Sequence, residues 1–203
     1  MQSTDGEDRL RPNDIEDLAI DEVCDRVSRL TTDMMTFWKS ASGWAPAEAA
    51  GLLSRSMLDW QASLASSLSR WINATGDGDL ILAWTHLGAL IEGQLRLFLS
   101  VYYEDYKADA QPMVMRGNVQ QPDEASLELL RQFFVRSVWI AGSDWNTYVQ
   151  FVQLRRNAIH AFRPRDIGTF DEWRDSLRTH LAFVRDLNDR MPYPDEGFSP
   201  RDW

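Results

Sequence analysis

Cysteine, histidine and lysine are all scarce in this chain of 203 residues. A single cysteine, Cys24, excludes an internal disulfide framework and any zinc site built on thiolates. The three histidines, His86, His160 and His180, stand far apart in sequence, so no His cluster for a metal is expected, and no other cofactor. No stretch approaches the ~18 uncharged apolar residues of a membrane span. The first residues, MQSTDGEDRLRPNDIEDL, are acidic where a secretory signal is basic and then apolar. A cytoplasmic protein with no membrane partner is the expectation. Excess positive charge is missing too: 31 acidic residues oppose 21 basic ones, and a net charge of −10 argues against duplex DNA as a partner.

Several catalytic signatures are also absent. There is no glycine-rich loop before a Lys-Ser/Thr pair, no Gly-x-Ser-x-Gly elbow and no His-Glu-x-x-His helix. Asp77-Gly78-Asp79 has the opening of a calcium loop, but Gly88 stands where its closing glutamate belongs.

What is present is apolar side chains at helical spacing. A hydrophobic content of 44% with nine tryptophans is ample for a packed core in a chain of this length. The pattern predicts about six helices in an all-α, up-and-down bundle. The first runs from an Asn13 cap to Lys39, and the second from Pro46 to Ile72. The third, over 79–107, is apolar on nearly every side and belongs at the centre of the core. Residues 108–122 read as a loop. The fourth helix opens at Pro122 and ends near Ala141, before Gly142; the fifth is capped by Ser143 or Asp144 and reaches Phe162. The sixth runs from a Thr169 cap, with Glu172 completing a capping box, to Arg190. The expected organisation is a flexible acidic stretch over 1–12, one all-α domain over 13–190, and a proline-rich tail over 191–203 lying extended on the surface. His86, His180 and Cys24 read as packing residues.

Charge is unevenly spread. Residues 1–38 carry ten acids against four arginines, whereas 155–165 carry Arg155, Arg156, Arg163 and Arg165 with no acid. Nineteen of the 21 basic residues are arginine, which makes forked contacts to phosphate that lysine cannot. On a helix at ~100° per residue, Tyr148, Phe151, Val152, Ile159 and Phe162 share an apolar face, and Arg155 falls in its middle. Gln153, Arg156, Asn157 and His160 lie on the flank. A guanidinium on a core-facing stripe needs a partner, and Glu92 and Asp144 are the candidates.

Arg155 and His160, four residues apart and followed by Ala-Phe, resemble the Arg-x4–6-His motif of the HEPN superfamily (higher eukaryotes and prokaryotes nucleotide-binding domain). The phrase RRNAIHAF, with AWTHLGALIEGQLRLFLSVYYEDY on an earlier helix, is similar to a group of bacterial HEPN-like proteins; the resemblance covers roughly residues 79–190. It implies a HEPN-like bundle and a metal-independent endoribonuclease of the toxin or defence type. It also implies a homodimer in which two motif helices build one composite site. Arg155, Asn157 and His160 would be catalytic, Arg156, Arg163 and Arg165 would hold RNA phosphates, and Glu92 and Asp144 would stand behind them. The family commonly has a polar residue after the motif arginine, and here the Arg-Asn pair falls one step later, at Arg156-Asn157, so which arginine fills the motif position stays open. Phe162 stands where some HEPN toxins carry a tyrosine that a partner nucleotidyltransferase modifies, so an antitoxin or regulatory protein would act by another route. Two other readings stand beside this one: an inactive HEPN module that binds nucleotide or RNA, and a structural protein-interaction bundle in which Arg155 closes a buried ion pair.

Overall fold

Apolar side chains at 3–4 spacing, interrupted by serines and glycines, fold into a helical bundle with eight α-helices among the described residues. The structure, a computed structural model, describes residues 12–160, 162, 164–193 and 199–202. The helices are α1 (Ile20–Lys39), α2 (Ala47–Arg55), α3 (Leu58–Ala65), α4 (Asp77–Val101), α5 (Tyr103–Ala108), α6 (Leu127–Ser137), α7 (Trp145–Arg156) and α8 (Phe170–Asp189). None is long and apolar enough to cross a membrane.

As its composition demands, α4 is central, touching α2, α3, α5, α6, α7 and α8. Trp84, Leu87, Leu90, Ile91 and Leu95 of α4 are fully buried. On one side α7 and α8 close over it; α1 packs between α3 and α8, burying Val23, Val27, Leu30 and Met34.

Several boundaries differ from expectation, each for a local reason. The first helix begins at Ile20, after a 3₁₀ segment over Pro12–Asp17, instead of at an Asn13 cap. The expected second helix is three pieces: α2, α3 and a 3₁₀ turn over Leu68–Trp71. Ser56, Ser66 and Ser67 bond back to the carbonyls of Leu52, Ala62 and Ser63, the local competition that ends helices at serine. The third starts two residues early, at Asp77, and breaks at Tyr102, whose hydroxyl donates to the Arg190 carbonyl at 2.5 Å. In the fourth, Gln121–Ala125 form a turn and Ser126 is the cap, accepting from the Leu129 amide. That helix ends at Ser137, ahead of Gly142 with φ +88°.

Within the expected loop, Val114–Met115 pair antiparallel with Asn118–Val119. Arg116 and Gly117 both have positive φ, the tight turn such a hairpin requires. The Thr169–Glu172 capping box is present as expected. The tail is not simply laid on the surface. Asp202 is buried, its carboxylate bonded to Arg185 at 2.5 and 3.1 Å, while its carbonyl accepts from Arg29 at 2.8 Å.

Candidate functional site

The motif segment begins as the last turn of α7 but does not continue as α-helix. After Arg156 the chain tightens into a 3₁₀ turn over Asn157–His160, instead of running to Phe162. Each residue then advances ~120°, not ~100°, and the side chains beyond Asn157 rotate away from their expected faces. Ala158 becomes the buried residue of the turn. Ile159 and Phe162, expected on the core face, are instead exposed.

Arg155 points inward as expected, but neither Glu92 nor Asp144 is its partner. Its guanidinium lies 5.0 Å from the Phe151 ring centroid and pairs with Asp166 and, at 3.3 Å, with Glu172. Gly168, with φ +65°, covers it: a Cβ there would lie 3.0 Å from the Arg155 Cζ. Asp166 also accepts from the Gly168 amide at 2.9 Å, and Glu172 from the Thr169 amide at 2.8 Å. The Arg155 guanidinium, helped by that amide, holds the Asp166 carboxyl below the usual carboxylate range. Arg155 thus pins the 164–169 loop and the start of α8 onto α7. Asp144 lies exposed at the opposite end of α7, while Ser143 accepts from the Trp145 amide.

Arg156 does not lie on a solvent flank with His160. Its stem crosses α4 at Gly88, where a Cβ would come within 3.3 Å of the Arg156 Cβ and Cγ. Beyond the glycine, its guanidinium donates to Glu92 at 2.8 Å, and Glu92 also pairs with Arg96 at 2.6 Å. Glu92 is therefore the partner of the second arginine, not the first. Asn157 caps α7 and is half-buried; His160 and Arg165 are exposed. Arg163 lies outside the described residues.

His160 is exposed, and in the same stretch of chain Leu154 is 58% exposed, Ile159 45%, and Phe162 fully. Beside it a shallow recess of about 360 Å³ runs from Phe162 and Arg165 to Asp77 and Ile81 at the start of α4. Among the described residues no three His, Cys, Asp or Glu side chains gather as a metal would need.

The other histidines pack as expected. His86 accepts from Trp71 Nε1 at 2.9 Å through Nδ1 and lies 2.8 Å from the Leu64 carbonyl through Nε2, and burial lowers its pKa. His180 is fully buried between Tyr148 and Phe183. Sequence reading missed Asp166 and Glu172 as the partners of Arg155. The Thr169-x-x-Glu172 signature located Glu172, but only as a cap. No protein-family model, curated protein or solved structure matches the chain.

Proposed function

We propose that the protein is an RNA-directed, HEPN-like bundle that acts as a homodimer and cleaves RNA without a metal, as enzymes of the toxin or defence type do. The observation that supports this best is the surface around His160. An exposed histidine stands in a stretch of chain whose apolar side chains Leu154, Ile159 and Phe162 are exposed as well, as at a surface that a partner covers. A second copy docked there covers them and brings a second His160 to the same place. Cleavage through the RNA's own 2′-hydroxyl needs that pair. One imidazole takes the hydroxyl proton as oxygen attacks phosphorus, and the other returns a proton to the departing 5′-oxygen. The products are a 2′,3′-cyclic phosphate and a free 5′-hydroxyl.

Of the two arginines, Arg155 is the one whose partner a phosphate can displace, although its own side chain is 10% exposed against 27% for Arg156. Its partner Asp166 is 81% exposed on a loop, whereas Arg156 is held by the largely buried Glu92. A phosphate oxygen arriving at Arg155 exchanges with the Asp166 carboxylate, and Arg165 adds charge at the rim.

A second reading has its own support. Arg155 is already saturated by two carboxylates, a ring and the Gly168 backbone, as a purely structural ion pair would be. The test is cleavage of an end-labelled structured RNA in excess EDTA by wild type, His160→Ala and Arg155→Ala, with light scattering for mass. The ribonuclease reading expects a dimer, cyclic-phosphate ends from wild type, and no product from a fully folded His160→Ala. A monomer whose His160→Ala variant behaves as wild type, while Arg155→Ala loses thermal stability, establishes the structural reading instead.

A further inference from the structure

A second cleft lies at the other end of the bundle. It is flanked by Arg190, just past α8, which is ~30 Å long, while Glu172 of the Arg155 cluster sits in the first turn of that helix. The cleft encloses about 270 Å³, and its character is set by two aromatic pairs. Phe98 and Tyr102 of α4 lie 4.9 Å apart; Tyr106 of α5 and Phe133 of α6 meet edge-to-face at 5.2 Å.

The polar groups around these rings are almost all acceptors. Both phenol protons are already used, Tyr102 donating to the Arg190 carbonyl and Tyr106 to the Gln120 carbonyl, each at 2.5 Å. Burial raises the pKa of both phenols, so they stay protonated, and the Tyr106 oxygen also accepts from the Met113 amide at 3.3 Å. Asp109 accepts from the Gln111 amide at 2.7 Å, and with help from the Ser137 hydroxyl it is held ionised. Asp105 lines the cleft with no salt-bridge partner among the described residues.

Two cations stand at the cleft, each over one of its rings, and Arg136 also helps hold Asp109 ionised. Arg190 lies over the Phe98 ring, donates to the Val138 carbonyl at 2.9 Å and pairs with Asp186 at 3.5 Å. Arg136 lies over Phe133 and donates to the Gln111 carbonyl. Arg190 lines the cleft with its guanidinium already engaged, and Asp105 is the charge there that no cation among the described residues pairs.

We infer that this cleft binds a small organic cation, an ammonium group carried on an apolar body about the size of one aromatic ring. The body lies between the Phe98–Tyr102 and Tyr106–Phe133 pairs, and the ammonium faces Asp105 and Asp109. Aromatic walls suit such a cation twice over, by burying its carbon and by offering negative ring faces to its charge. A volume near 270 Å³ admits one ring and a short chain and little more. The inference does not depend on the ribonuclease reading and concerns none of its residues.

Three probes of one shape and different charge decide it: 2-phenylethylammonium, 2-phenylethanol and 3-phenylpropionate, titrated into the full chain by calorimetry and amide NMR. The ammonium is expected to bind, shifting the amides of Tyr102, Tyr106 and Ser137, with the alcohol about tenfold weaker and the carboxylate weaker still. Asp105→Asn, an exposed position whose change leaves the fold intact, is expected to weaken the ammonium about fivefold. Binding of the carboxylate as tightly as the ammonium overturns the inference. So does ammonium binding that Asp105→Asn leaves unchanged, or shifts confined to another part of the bundle. Absence of any shift with the ammonium at about 10 mM, far above the Kd of a useful site, overturns it as well.

Discussion

His180 is fully buried with no hydrogen-bond partner for either ring nitrogen among the described residues, held only by Tyr148 and Phe183. Burial in this aromatic slot depresses its pKa to about 3, and the nearby His86 acts in the same direction. The unfolded chain takes up the proton near the ordinary value of about 6.5, while the folded chain refuses it until far lower pH. The stability that depends on a neutral His180 is therefore intact above pH ~6.5 and is lost as pH falls from there toward 3. Between pH 7 and pH 5 the loss is about 2 kcal/mol, measurable as a fall in the urea midpoint. His180→Leu is expected to remove most of that pH dependence. It should also raise stability near neutral pH, because two unpaired ring nitrogens leave the core.

On the scale of helices, two of the three glycines of α4, Gly78 and Gly88, make opposite predictions. Gly78 has open space around it, so Gly78→Ala gains helix propensity, up to about 0.5 kcal/mol. Gly88 is the notch through which Arg156 passes on its way to Glu92. Gly88→Ala gains about 0.8–1 kcal/mol of propensity but forces that side chain off its ion pair, an overpacking cost of about 1–3 kcal/mol. The net loss of about 1 kcal/mol lowers Tm by roughly 2–4 °C, against a small rise for Gly78→Ala. Thermal melts of the two variants side by side check the sign.

The same helices show what could be read in advance. The centrality of α4 was legible because its apolar residues surround the axis, and the α8 start because a capping box is complete within four residues. The inward aim of Arg155 followed from its place on an apolar stripe. Its partners did not, because Asp166 and Glu172 reach it only after the chain turns at Gly168, and a wheel drawn on one helix cannot show that. The exposure of Ile159 and Phe162 was hidden for another reason. One 3₁₀ turn after Arg156 changes the rotation per residue, and composition alone does not mark where α gives way to 3₁₀. Serines inside the expected second helix are visible in the sequence, but which of them turn their hydroxyls to a backbone carbonyl and end a helix is decided by the fold.

The molecule as a whole is closed by its last described residues. Asp202 sits between α1 and α8, bonded to Arg185, with Arg26 at 3.8 Å and Arg29 on its carbonyl. Asn188 reaches Ser199 at 3.1 Å and the Pro200 carbonyl at 3.0 Å to hold the same segment. Asp202→Ala leaves the buried Arg185 and Arg26 without their shared carboxylate. The expected cost is about 3–5 kcal/mol by denaturant titration, well above a typical surface change. Gln150→Ala, at an exposed position on α7, serves as the reference, and a loss under 1 kcal/mol at Asp202 would rule out a clasp of this strength.

That clasp also orders events during synthesis. Until residue 202 has left the ribosome, α1 and α8 face each other across arginines whose carboxylate has not yet arrived. Among the described helices, the first long one and the last therefore share one carboxylate that is made after both. A nascent chain halted before Ser199 has every described helix but not the carboxylate that Arg185 and Arg26 share.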